Sequence, residues 1–186
     1  MGDPRIEKLA DILVNHSLEV KKGERIIIQG SMEGVPLINE VYRKVLQQGA
    51  KPFPMISTPG MQYILFNEAG KEQLMDLEIE KTIFRKADGI IGILAPSNTK
   101  ELASIDPQKM QWASIAEQPL LQEQMQGKIR WTGTQFPTNA GAQDADMSLE
   151  EYEDFVYNAT NIDYHTLKGS MEEATTQFNA AKKVRI

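Results

Sequence analysis

Apolar positions along the chain recur with two periods, and together they predict alternating helices and strands. Asp3 suits an N-cap and Pro4 the first helical position, and Ile6, Leu9, Ala10 and Leu13 follow at one-face spacing. Lys21-Lys22-Gly23 reads as a turn. Arg25 to Gln29 is short, β-branched and apolar, the pattern of a strand buried on both faces. Gly30-Ser31-Met32-Glu33-Gly34 reads as a loop. Leu37, Ile38, Val41, Val45 and Leu46 then form one side of a helix that Gly49 stops. Lys51 to Ser57 predicts a second strand, and Pro52 and Pro54, which donate no backbone hydrogen bond, place it at a sheet edge. Thr58-Pro59 opens another helix, and Leu74, Leu77 and Phe84 predict one more before a third strand over Gly89 to Leu94.

Asp106-Pro107 repeats the cap-plus-proline opening, and Pro119 is expected to kink or split the helix that follows to Met125. Lys128 to Thr132 predicts a fourth strand and 133–146 a loop. Ser148 and Glu151 have capping-box spacing at the start of a helix running through Thr160, with further helix from Tyr164 to Lys182. Strands alternating with helices imply parallel pairing through right-handed crossovers. The predicted fold class is therefore α/β: an open, mostly parallel, four-stranded Rossmann-like sheet in strand order 2-1-3-4, with helices on both faces and a C-terminal helical extension. Residues 1–160 form the α/β domain and 161–186 a helical connector.

A length of 186 residues fits one domain, and 20 Lys+Arg against 26 Asp+Glu leave a net charge of −6. That balance argues against non-specific nucleic-acid binding, which needs a basic face. The longest apolar run, Gly89 to Ala95, is strand-sized, so no membrane span is expected. Asp3, Glu7 and Asp11 at the start are unlike a signal peptide, and Ile6 stands where a myristoylation motif beginning Met1-Gly2 needs Ser or Thr. Cysteine is absent, which removes disulfides, thiolate metal sites and a cysteine nucleophile and fits a cytoplasmic setting.

Local chemistry is sparse. The 30–34 segment lies where dinucleotide folds hold phosphate, yet it lacks the glycine spacing of that motif, and Glu33 would repel an anion. A tight turn is the simpler reading. The acidic run Asp144, Asp146, Glu150, Glu151, Glu153, Asp154 fails the calcium-loop pattern at Leu149 and Phe155, and helix capping accounts for it better. His16 and His165 have no neighbouring metal-binding motif. Trp112 and Trp131 read as core or interface residues, since no basic stripe accompanies them. Topology leaves one candidate site: the crevice at the strand carboxyl ends where strand order reverses. It is flanked by Gly30 and Ser31 on one side and by Ser97 and Asn98, within Ala95-Pro96-Ser97-Asn98, on the other.

Longer blocks carry a resemblance. Gly2 to Ala10, Lys22-Gly23-Glu24-Arg25, Gln29-Gly30-Ser31, Pro36-Leu37-Ile38 and Gly49-Ala50-Lys51-Pro52 are similar to the start of the thermophilic metalloaminopeptidases, the aminopeptidase T and S type. Trp131 to Thr138 and Met147 to Val156 extend the match, which weakens after about Thr160. The resemblance implies exopeptidases that remove N-terminal amino acids with two divalent ions, zinc or cobalt. Family members are roughly twice as long and carry their carboxylate, histidine and tyrosine ligands in the C-terminal half. On that basis no catalytic residue, metal ligand or resident cofactor is assigned to this chain. Its expected partners are a missing C-terminal catalytic domain and, in the full-length protein, a second copy. Val184-Arg185-Ile186 reads as the start of an alternating strand, which fits truncation. The alternatives are a stand-alone module for a small anionic ligand or nucleotide, and a scaffold or dimerisation domain.

Overall fold

In the computed structural model, residues 2–185 are described, apart from the side chain of His165. Met1, Ile186 and the His165 side chain, on which three of the readings above fall in part, lie outside that set. Four parallel strands form one sheet in the order β2-β1-β3-β4. They are β1 (Arg25–Ser31), β2 (Lys51–Ser57), β3 (Gly89–Leu94) and β4 (Arg130–Gln135). Ile27 of β1 lies in register with Phe53 of β2 and Ile90 of β3, and Ile90 with Trp131 of β4. The two central strands are the two apolar ones, β1 with Ile26-Ile27-Ile28 and β3 with Ile90, Ile91 and Ile93. The proline-bearing β2 takes the edge, as its missing donors require.

One face is thickly covered. α1 (Pro4–Asp11) is capped by the Asp3 side chain, which accepts a hydrogen bond from the Arg5 amide, and it continues into a π-helical turn, Ile12–Ser17. After a 3₁₀ turn, Met32–Gly34, comes α2 (Val35–Gln47). Leu9, Leu13, Val14, Leu37, Val41 and Val45 from these helices bury against Ile26, Ile28, Ile91 and Ile93 of the sheet. Leu46 is not part of this core: it is 52% exposed, one position round the helix from Val45. Gly49 ends the turn after α2 at φ 73°, a left-handed conformation that glycine adopts without strain.

The opposite face is covered over part of its length. α3 (Met61–Glu68) is followed by α4 (Lys71–Met75) and α5 (Glu78–Arg85), so one predicted helix is two, separated by a non-helical break at Asp76-Leu77. Ile83 and Phe84 of α5, with Ala87, pack on Ile27, Ile90 and Ile129. α6 (Pro107–Met125) is capped by Asp106 and runs unbroken past Pro119, contrary to the expected split. β4 begins two residues later than predicted, and the predicted 133–146 loop contains α7 (Asn139–Asp144), capped by Thr138. α8 (Leu149–Thr160) opens with the predicted capping box between Ser148 and Glu151. From Thr166 through Arg185, including most of α9 (Tyr164–Ala180), every described residue is exposed. Val184 and Arg185 are not in a strand. Among the described residues no helix is long and apolar enough to cross a membrane.

Candidate ligand cleft

Parallel strands all end on the same side, and where crossovers leave in opposite directions the sheet edge is left open. β1 hands the chain to α2 on the covered face, while β3 leads toward α6 on the other. Between them lies a cleft of about 580 Å³. Gly30 and Ser31, at the end of β1, and Ser97 and Asn98, after β3, all line it. The structure therefore brings the four predicted crevice residues round one cavity. Gln29, Gly92 and Gln135 on the sheet's open face contribute its floor, and Ser57 and Glu101 also line it.

Hydrogen bonds fix these walls. The Ser31 hydroxyl donates to the carbonyl oxygen of Ala95, tying the end of β1 to the residue after β3. Ser57 Oγ donates to the Gly30 carbonyl at 3.3 Å. The Gly60 amide donates to Glu101 Oε1 at 2.7 Å, and the Lys100 amide donates to Asn98 Oδ1 at 2.9 Å. Glu33, in the 3₁₀ turn, has a buried Oε2 with no hydrogen-bond partner. Sequence reasoning missed Glu101 and also Gln62, which lines the same cleft; no local motif marks either. It also passed over Gly92, although a glycine inside a buried strand is itself a sign of close backbone approach.

Several of the remaining chemistry-bearing residues are engaged in structural contacts. Glu151 closes the capping box, and the Ser148 amide and hydroxyl beside it hold its carboxyl below the ordinary range. Glu153 and Asp154 pair with Arg5, each at 2.8 Å. Hydrogen bonding from Thr99, with the nearby Lys100, lowers Asp144. His16 stacks on Tyr164 with ring centroids 4.8 Å apart. Trp112 is partly buried near the Lys71 ammonium, 5.9 Å from its ring centroid. Trp131 is not a core residue: it stands 54% exposed on the open face of β4. Among the described residues, no group of three or more His, Cys, Asp or Glu side chains is placed to hold a metal ion.

A family model described as thermophilic metalloprotease (M29) matches residues 2–184. The chain belongs to the M29 thermophilic metalloprotease family. Among solved structures it is similar to wild-type AmpT from Thermus thermophilus, with 20% identity and a TM-score of 0.63 over 85% of this chain and 43% of that one. Weaker likenesses are to an alcohol dehydrogenase superfamily protein from Novosphingobium aromaticivorans (14% identity, TM-score 0.37, 89% of this chain and 49% of that one) and to CurK enoyl reductase (12%, 0.31, 80% and 57%). No curated protein matches. The chain thus spans less than half the length of AmpT.

Proposed function

We propose that this chain is the non-catalytic amino-terminal domain of a two-metal aminopeptidase, a folded α/β support that shapes access to a metal centre carried elsewhere in the protein. Membership of the M29 family makes metal-dependent peptide hydrolysis the activity to account for. The observation that carries the reading is the donor set. Two-metal hydrolysis needs bridging and terminal ligands that hold the ions ~3.5–4 Å apart. The described residues converge on no such cluster. The family's two metal ions do not fit the donor set of the described residues.

The reading gives α9 the role of connector toward the catalytic portion. It also carries the homodimer and the zinc or cobalt ions that the family resemblance implies for the whole protein, and the cytoplasmic setting expected of a chain without cysteine. The stand-alone anion module is the weaker alternative, because no Lys or Arg lines the cleft among the described residues.

Metal analysis and turnover test the proposal together. The purified 186-residue chain, incubated with zinc or cobalt and desalted, is expected to retain substoichiometric metal and to release no leucine from leucine p-nitroanilide. A longer chain that includes the rest of an M29 protein is expected to do both. Stoichiometric metal in the 186-residue chain, with chelator-sensitive turnover, would overturn the reading.

A further inference from the structure

We propose that the cleft at the carboxyl ends of β1 and β3 binds a small organic cation through a primary ammonium group. This goes beyond the support role and does not depend on it.

The direction of the hydrogen bonds is the first argument. Ser31 and Ser57 both spend their hydroxyl hydrogens on backbone carbonyls, of Ala95 and Gly30. Their oxygens can only accept from a molecule in the cleft. Glu101 already accepts from the Gly60 amide through one oxygen, and Glu33 Oε2 is buried and takes no bond. The two serine oxygens and the second Glu101 oxygen thus offer acceptors to a donor-bearing ligand, and the buried Glu33 carboxylate adds negative charge beside them.

Charge agrees with direction. Glu33 and Glu101 are the charged residues lining the cleft, and no Lys or Arg lines it among the described residues. The start of α2, which would otherwise attract an anion, is poor in donors. Pro36 has no N–H, and the Val35 N–H is used by the Met32 carbonyl. Phosphate or carboxylate would meet two carboxylates and no cation, with only neutral donors such as the Gln29, Gln62 and Asn98 carboxamides to hold it. An ammonium, with three donors and no acceptor, meets what it needs.

Shape narrows the class further. Gly92 leaves the floor bare, although a Cβ there would come no nearer than 3.9 Å to the Thr132 carbonyl oxygen. A side chain is thus accommodated by the fold, and its absence opens the cavity. About 580 Å³ is far more than one water or a bare ion occupies; it leaves space for an organic amine, and a short aliphatic one enters with room to spare.

Three four-carbon probes with different ends separate the terms: putrescine (cationic), 1,4-butanediol (neutral) and succinate (anionic). Amide NMR titrations of the whole chain should show saturable shifts with putrescine, centred on Gly30, Ser31, Glu33, Gly92, Ser97 and Asn98. Butanediol and succinate should give none there. Glu33→Gln should weaken putrescine about ten-fold, the usual effect of removing a charge-assisted bond. Gly92→Val, which fills the floor from a strand position that tolerates it, should abolish binding while thermal unfolding is maintained. Succinate binding as tightly as putrescine would overturn the proposal. So would putrescine shifts scattered over the acidic surface, no saturation by about 50 mM, or unaltered affinity in a folded Gly92→Val protein. None of these results touches the metal and turnover test above.

Discussion

Arg5 is the residue on which the two ends of the α/β unit meet. Its Nη2 lies 2.8 Å from both Asp3 Oδ2 and Glu153 Oε2, and its Nη1 lies 2.8 Å from Asp154 Oδ1. The guanidinium carbon sits 4.7 Å from the Tyr157 ring centroid, and the Arg5 carbonyl accepts from Asn161 Nδ2 at 2.9 Å. Arg5 thus holds α1 to α8 by charge, ring contact and backbone together. Its hydrogen bond lowers the Asp3 carboxyl below the ordinary 3.8. A carboxyl depressed in the folded state adds stability above its unfolded pKa, and that stability is lost as pH falls through the folded value. Because the groups are about a third exposed, solvent screens the pairs. Arg5→Ala should therefore lower urea-unfolding stability at neutral pH by about 1–2 kcal/mol. It should also flatten the decline below pH ~4, since the unfolded carboxyl titrates there. An equally steep acid decline in the variant would show that Arg5 is not its source. Tyr157 supplies the opposite limb. Burial, with the Asp3 and Glu153 charges, pushes its phenol up to about 12. Its contribution is present below the ordinary value of 10.0 and lost as pH rises toward the folded value. In an ultraviolet phenolate titration, Tyr157→Phe should remove a late-titrating tyrosine.

Elements were legible where several local signals agreed. Three consecutive isoleucines fixed β1, glycine-flanked isoleucines fixed β3, and cap residues placed the starts of α1, α6 and α8. The paired prolines identified β2 as an edge, and the crevice residues followed from strand order alone. α7 was hidden because Asn139-Ala140-Gly141-Ala142 has no apolar period and Gly141 offsets the helix preference of its two alanines; tertiary packing makes it helical. The exposure of Trp131 and Leu46 was hidden for a related reason: residue type does not reveal which face a neighbouring element leaves open. Two glycine positions test how packing overrides propensity. A Cβ at Gly141 would sit 2.8 Å from Tyr152 Cε1 and 3.0 Å from its hydroxyl, the same hydroxyl that accepts from Gln135 Nε2 of β4 at 2.5 Å. Gly141→Ala should destabilise by about 1–3 kcal/mol, since a well-packed contact must move. At Gly169, inside α9, an added Cβ meets nothing within 4 Å. Gly169→Ala should instead favour helix by about 0.5–1 kcal/mol locally, visible as a rise in helical circular dichroism. If both variants shift the urea midpoint alike, the contact at Tyr152 is not what matters.

Across the whole molecule, stability is expected to be uneven. β1 and β3 are flanked on both sides by other strands and carry Ile26, Ile28 and Ile91 at 0% exposure. α9 is 17 residues long, and its apolar side chains Leu167, Met171 and Phe178, spaced to share one side, are 39%, 57% and 58% exposed. A helix of that length without a packed face is marginal in water, because backbone hydrogen bonds alone barely offset nucleation. Amide hydrogen exchange should therefore divide the chain. Ile27 and Ile90 should exchange only through global unfolding, and residues 166–180 through local opening that is orders of magnitude more frequent. Protection of α9 equal to that of the central strands would refute this account of the helix. The same measurement bears on the connector role. In a longer M29 chain that carries the catalytic portion, the side bearing Leu167, Met171 and Phe178 would be covered, and α9 protection should rise while that of β1 and β3 changes little. If α9 exchanges as fast in the longer chain as in this one, the helix is not docked there and the proposed connector role fails.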